Sequence, residues 1–69
     1  MQFNGKKLGE DVKTKRAIKM RISLGMLSLE LGVSPSTLSR IENGHEPDIN
    51  TFATVCEWLG AKMEKYFTK

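Results

Sequence analysis

ISLGMLSLELGVSPSTLSRIENG, residues 22–44, carries two short apolar patterns of helical period separated by Gly-Val-Ser. Leu24, Leu27 and Leu31 form the first stripe, Leu38 and Ile41 the second, so each segment has one face to bury. Gly32 stands where a left-handed residue closes a helix without a Cβ penalty. Ser34 offers an N-cap hydroxyl, and Pro35 suits a first helical position, whose N–H has no intrahelical partner to lose. A helix over about 35–42 follows, ended by Asn43-Gly44. Two helices meeting at a steep angle need a small residue at the contact and branched apolar residues to wedge them; Ser28, with Val33, Leu38 and Ile41, supplies these. Ser36, Thr37, Ser39 and Arg40 are left facing outward.

Helical patterns continue on both sides of this stretch, and no alternating strand pattern with flanking turns occurs, so the expected fold is all-α. A first helix is predicted over 6–20, with Leu8, Val12 and Arg16 on one stripe at four-residue steps. Ser23 begins a second helix over 24–31. Asp48 caps a fourth, whose predicted buried face is Ile49, Phe52, Ala53, Cys56 and Leu59, closed by Gly60. Met63, Tyr66 and Phe67 make one apolar edge of a short final helix flanked by Lys62, Lys65 and Lys69.

A chain of 69 residues, 39% apolar, allows one compact core and no second, so residues 1–69 read as a single domain. No apolar run approaches the ~18 residues of a membrane helix, and residues 1–5 lack the apolar region of a secretory signal, which gives a cytoplasmic expectation. The single cysteine, Cys56, has no internal disulfide partner and falls on a buried stripe, where it reads as core filler. His45 is the only histidine and has no second ligand nearby at metal spacing. Neither a metal site, a catalytic triad nor a cofactor site is expected, and the chain does not read as an enzyme.

Charge is unevenly placed. Residues 1–21 hold seven Lys and Arg against Glu10 and Asp11, a net of +5, whereas residues 22–60 hold Arg40 against five carboxylates, a net of −4. The first helix is the basic element and the middle of the chain, residues 22–60, is acidic.

Residues 32–44, GVSPSTLSRIENG, together with PDINTF at 47–52 and CEWLG at 56–60, resemble the Cro and phage-repressor type (XRE) helix-turn-helix family over about residues 8–67. The resemblance implies a five-helix, lambda-repressor-like DNA-binding domain, with its motif at about 23–44 and its third helix in the major groove of double-stranded DNA, usually as a homodimer on a palindromic operator. By position, Pro35, Ser36, Thr37 and Arg40 meet base edges. Arg40 is the principal reader, because a guanidinium bonds guanine O6 and N7 bidentately. Ser23, Ser34, Ser39, Asn43 and Lys19 are expected at phosphates, since free helix N-terminal amides and cations attract them. Arg16 and Glu42 are expected as a structural pair.

Three departures from the family pattern stand out. Leu24 occupies the place of a phosphate-gripping glutamine, and Gly25 lowers helix propensity and reads as tolerated drift. The spacing from Arg16 to Ile22 is one residue longer than the family's, which implies an insertion at the link around Arg21. With so few cations near the groove, a monomer is expected to bind weakly, leaving first-helix lysines and a second copy to supply the deficit. Trp58, Met63, Tyr66 and Phe67 suggest an apolar edge for a dimer or partner. The function implied is a transcriptional repressor; the alternative is an antitoxin-like or coactivator-like interaction module whose ligand is a protein such as a toxin.

Overall fold

The computed structural model describes residues 1–68; Lys69, expected to flank the last helix, lies outside the described residues. Four α-helices supply most of the core: α1 (Gly5–Lys13), α2 (Leu24–Leu31), α3 (Pro35–Glu42) and α4 (Ile49–Leu59). The sequence provides each with its own start. Asn4, Ser23, Ser34 and Asp48 stand at the four N-caps, and their side chains accept the backbone N–H of Lys7, Met26, Thr37 and Thr51 respectively.

The stops are glycine-built. Gly32 at φ 70° donates its N–H to the Ser28 carbonyl, a single-bond left-handed cap. After α3, Gly44 at φ 93° donates to Ile41 O while His45 donates to Arg40 O; after α4, Gly60 at φ 70° donates to Glu57 O while Ala61 donates to Cys56 O. Both pairs are Schellman closures, which satisfy the last carbonyls and send the chain away at a defined angle.

Before the link around Arg21, where an insertion is expected, the first helix changes its winding. α1 does not run on as α-helix to residue 20; it widens into a π-helix over Thr14–Met20 and leaves through Arg21 at φ 55°. The amides of Arg21 and Ile22 both donate to the Arg16 carbonyl, five and six residues back, so one residue more than an α-turn holds is taken up there. The residues around the bulge are thereby turned outward, and Ile18 is 68% exposed.

Leu8 and Val12 of α1, Leu27 of α2, Leu38 and Ile41 of α3, and Phe52, Val55 and Cys56 of α4 form one buried cluster with Tyr66. Two features of α4 differ from the expected face. Ile49 is 66% exposed and Ala53 is exposed, while Val55 is fully buried. Ile49 sits in the first turn, before the helix reaches the core, and the buried stripe runs Phe52, Val55, Cys56.

The C-terminal segment is not a fifth α-helix. Met63–Tyr66 is a single 3-10 turn, followed by a two-residue strand β2 (Phe67–Thr68) paired antiparallel with β1 (Gln2–Phe3), with Gln2 opposite Thr68 and Phe3 opposite Phe67. Strands this short carry no readable alternation. An aromatic cluster backs them: Phe52 lies edge-on to Phe3 at 5.4 Å, Phe67 at 5.9 Å and Tyr66 at 6.1 Å between ring centroids.

Tyr66 is therefore a core residue, not part of an exposed edge. Its ring is fully buried, and its hydroxyl donates to Asp11 Oδ2 at 2.8 Å. Burial, then this hydrogen bond to a carboxylate, pushes the phenol pKa far up. Asp11 also faces Lys7 and Lys65, each at 3.4 Å. Its burial opposes ionisation, but Tyr66 and the two lysines outweigh it and hold the carboxyl below its ordinary value. Cys56 is a buried free thiol whose pKa burial raises, which suits packing and not nucleophilic work.

Candidate nucleic-acid interface

α3 is held from both sides. It packs on α2 through Leu38 and Leu27, and on α1 along Leu8, Val12 and Ile41. The α1 contact is unusually close: a Cβ on Gly9 would lie 2.5 Å from Ile41 O and 2.8 Å from Glu42 O, and one on Gly5 would overlap Gly44 O. Gly5 and Gly9, four residues apart on one face, let the α1 backbone rest on the C-terminal end of α3. Sequence reasoning passed over this pair; its signal is the Gly-x-x-x-Gly spacing on the side next to Leu8 and Val12.

Arg16 ties the same end of α3 to the start of α2. Its Nε donates to Glu42 Oε2 at 2.6 Å and its Nη2 to Glu42 Oε1 at 3.1 Å, a bidentate fork with side chains only 14% and 9% exposed. Nη1 donates to the Ile22 carbonyl at 2.9 Å. Arg16 thus holds both polar backbone groups of Ile22, one through its side chain and one through its carbonyl, immediately before the Ser23 cap. The Glu42 hydrogen bonds raise the guanidinium pKa further.

With Leu38 and Ile41 committed to the core, the opposite face of α3 is left to solvent. Pro35, Ser36 and Arg40 are exposed, and Thr37 and Ser39 are half-buried. Arg40 has no ion-pair partner among the described residues, so its guanidinium is free for a ligand. Ser34 Oγ accepts the Thr37 N–H at 3.2 Å and donates its proton to Thr37 Oγ1 at 2.8 Å. The two hydroxyls share one hydrogen bond, which leaves one of their two protons for a ligand at the start of α3. At the head of α2, Ser23 Oγ accepts from Met26 N at 3.1 Å, and its own proton remains available. Ser23 and Asn43 are both exposed.

The other predicted residues are dispersed. Lys19 lines a cleft with Thr14, Lys15, Leu59, Ala61 and Lys65, a set that contains no other predicted DNA contact. Lys15 donates to the Trp58 carbonyl and its ammonium lies 4.7 Å from the centre of the Trp58 ring, so it closes the end of α4 and covers one side of the indole. Trp58 and Met63 are half-buried against the core, and Phe67 is 37% exposed. With Tyr66 removed, little of the expected edge is open. The larger exposed apolar side chains lie elsewhere, with Met26 58% and Leu29 87% exposed on α2.

Among the described residues no cluster of three or more His, Cys, Asp or Glu is placed to hold a metal, and no helix is long and apolar enough to cross a membrane. A family model described as helix-turn-helix matches residues 12–65, most of the chain. No curated protein and no solved structure matches the chain.

Proposed function

The chain belongs to the Cro and phage-repressor type helix-turn-helix family of DNA-binding regulators, and on that footing we propose that it is a cytoplasmic, sequence-specific repressor that reads a palindromic operator as a homodimer. The observation that carries this reading is the two-sided α3: Leu38 and Ile41 lock it to the core while Pro35, Ser36 and an unpaired Arg40 face out. Arg40 reads a guanine, Thr37 and Ser36 supply hydroxyls and a methyl to neighbouring bases, and the α2 and α3 ends hold the flanking phosphates through Ser23, Ser39 and Asn43. Two copies place their α3 helices about one DNA turn, ~34 Å, apart.

Selection of bound duplexes from a random pool tests this. The expected product is a palindrome with half-sites about 10 base pairs apart, and Arg40→Ala relaxes one guanine position at a cost of about 1–3 kcal/mol. A pool with no enriched palindrome, and an Arg40→Ala variant that binds as the wild type does, would refute it.

The exposed Met26 and Leu29 and the net negative charge of residues 22–60 favour a second reading, an antitoxin-like or coactivator-like module that grips a protein. Salt separates the two. Phosphate-driven binding weakens steeply as salt rises, whereas an apolar partner interface survives it.

A further inference from the structure

Ten lysines and arginines lie within the described residues, and the fold has already engaged four of them: Lys7 and Lys65 at Asp11, Arg16 at Glu42 and Lys15 at Trp58. The basic character of the first helix is thus partly internal, and a groove-facing cation must come from the unpaired remainder. On α1 and its π-helical extension the unpaired lysines are Lys6, Lys13 and Lys19, and Lys19 faces the cleft beside Leu59 and Ala61.

Lys6 is placed differently. It is exposed and lines a concavity with Glu10, Glu42, Asn43 and Gly44 at the C-terminal end of α3. The placement is enforced by backbone contact, since Gly5 rests against the Gly44 carbonyl with no room for a side chain and Gly9 rests on Ile41 and Glu42. The Asn43 carboxamide, which also lines the concavity, has no hydrogen-bond partner among the described residues, so an ammonium and an amide, both unoccupied, line one space. Glu42 is committed to Arg16. Glu10 is left as the one uncommitted carboxylate lining it.

We propose that Lys6 is a DNA-phosphate contact at the C-terminal flank of the recognition helix, with Asn43 beside it and Glu10 as a charge that moderates it. The assignment rests on the DNA-binding reading above. It gives the acidic stretch 22–60 a cation from α1 at a defined point, next to the loop that leaves α3. A backbone phosphate is the fitting ligand because the concavity is open and its two unengaged donors, the Lys6 ammonium and the Asn43 carboxamide, both suit an anion.

The test is fluorescence anisotropy of the full chain on a labelled random-sequence duplex of about 30 base pairs, with salt varied between about 50 and 200 mM. Lys6→Gln and Lys13→Gln remove the same charge from exposed positions of the same helix, and circular dichroism confirms that both fold. Lys6→Gln is expected to lower the slope of log affinity against log salt by about 0.9, so that its deficit against the wild type shrinks about threefold across that range. Lys13→Gln leaves the slope at the wild-type value, and Glu10→Gln binds more tightly than the wild type. Wild-type binding with equal slopes for the two lysine variants, or with Glu10→Gln no tighter, overturns the assignment and leaves the DNA-binding reading intact. Absence of any wild-type binding overturns that reading, and the assignment with it.

Discussion

Replacing Gly9 with alanine places one methyl group where α1 crosses the end of α3. The new Cβ would lie 2.5 Å from Ile41 O, 2.8 Å from Glu42 O and 3.0 Å from the Glu42 carbonyl carbon, against an ordinary contact of at least 3.4 Å. All three are backbone atoms of a helix end, so no side chain can rotate away. α1 must retreat by nearly 1 Å, loosening Leu8 and Val12 against Leu38 and Ile41. Overpacking of this kind costs about 1–3 kcal/mol, and alanine's better helix propensity returns up to ~1 kcal/mol. A net loss of about 1–2 kcal/mol follows, which lowers the melting temperature of a domain this size by roughly 4–16 °C. Gly25→Ala is the matched control. It is also helical, but its Cβ meets only Ser23 Oγ at 3.7 Å, so the propensity gain appears alone and the variant is stabilised by about 0.5–1 kcal/mol. Thermal and urea melts followed by circular dichroism measure both. A Gly9→Ala protein as stable as Gly25→Ala would refute the argument that backbone contact fixes α3 on α1.

Other outcomes follow from single contacts. Arg16→Met leaves Glu42 without its fork in a half-buried place and releases the Ile22 carbonyl, and is expected to cost about 3 kcal/mol in urea denaturation. Arg21→Gly relieves a left-handed non-glycine residue at φ 55° and is expected to stabilise by about 1 kcal/mol in the same assay; an unchanged midpoint would count against strain at the π-helix exit. Tyr66 has its folded pKa raised above the unfolded value near 10, so its contribution is intact below about pH 10 and is lost as pH rises from there toward the folded pKa. Alkaline melts should show that decline, and Tyr66→Phe should flatten it. Asp11 runs the other way: its lowered folded pKa stabilises above about pH 4 and that stabilisation is lost as pH falls through the folded value, so acid melts of Asp11→Asn should be flatter than wild type below about pH 4.

What can be read from residues alone is whatever local chemistry decides. Ser23, Ser34 and Asp48 declare helix starts, and Gly32 and Gly60 declare stops, because caps and left-handed turns are satisfied within a few residues. The six-residue step from Arg16 to Ile22 is also countable. How the chain spans it is not, because whether a link lengthens or a helix widens depends on holding Arg16 on Glu42 and Leu24 on the core at once. Tyr66 escapes for a similar reason. A tyrosine in a short lysine-flanked segment reads equally as edge or core, and the decision comes from Asp11, 55 residues away in sequence. Gly5 and Gly9 announce nothing until a second backbone is seen to lie against them. In the interface, the exposed face of α3 follows from its two core residues, but the commitment of Ser34 to Thr37 and the separation of Lys6 from Lys19 require three-dimensional placement.

The pairing of Gln2 with Thr68 makes the polypeptide nearly a ring. Gln2 and Thr68 stand side by side, so the unit between them can be spliced into a surface loop of a host protein as a cassette without parting the two strands. A peptide bond closing that gap would confine the unfolded ensemble of a loop this long at about 4 kcal/mol, on the chain-entropy account of cross-links. It would also free the choice of where new termini are cut.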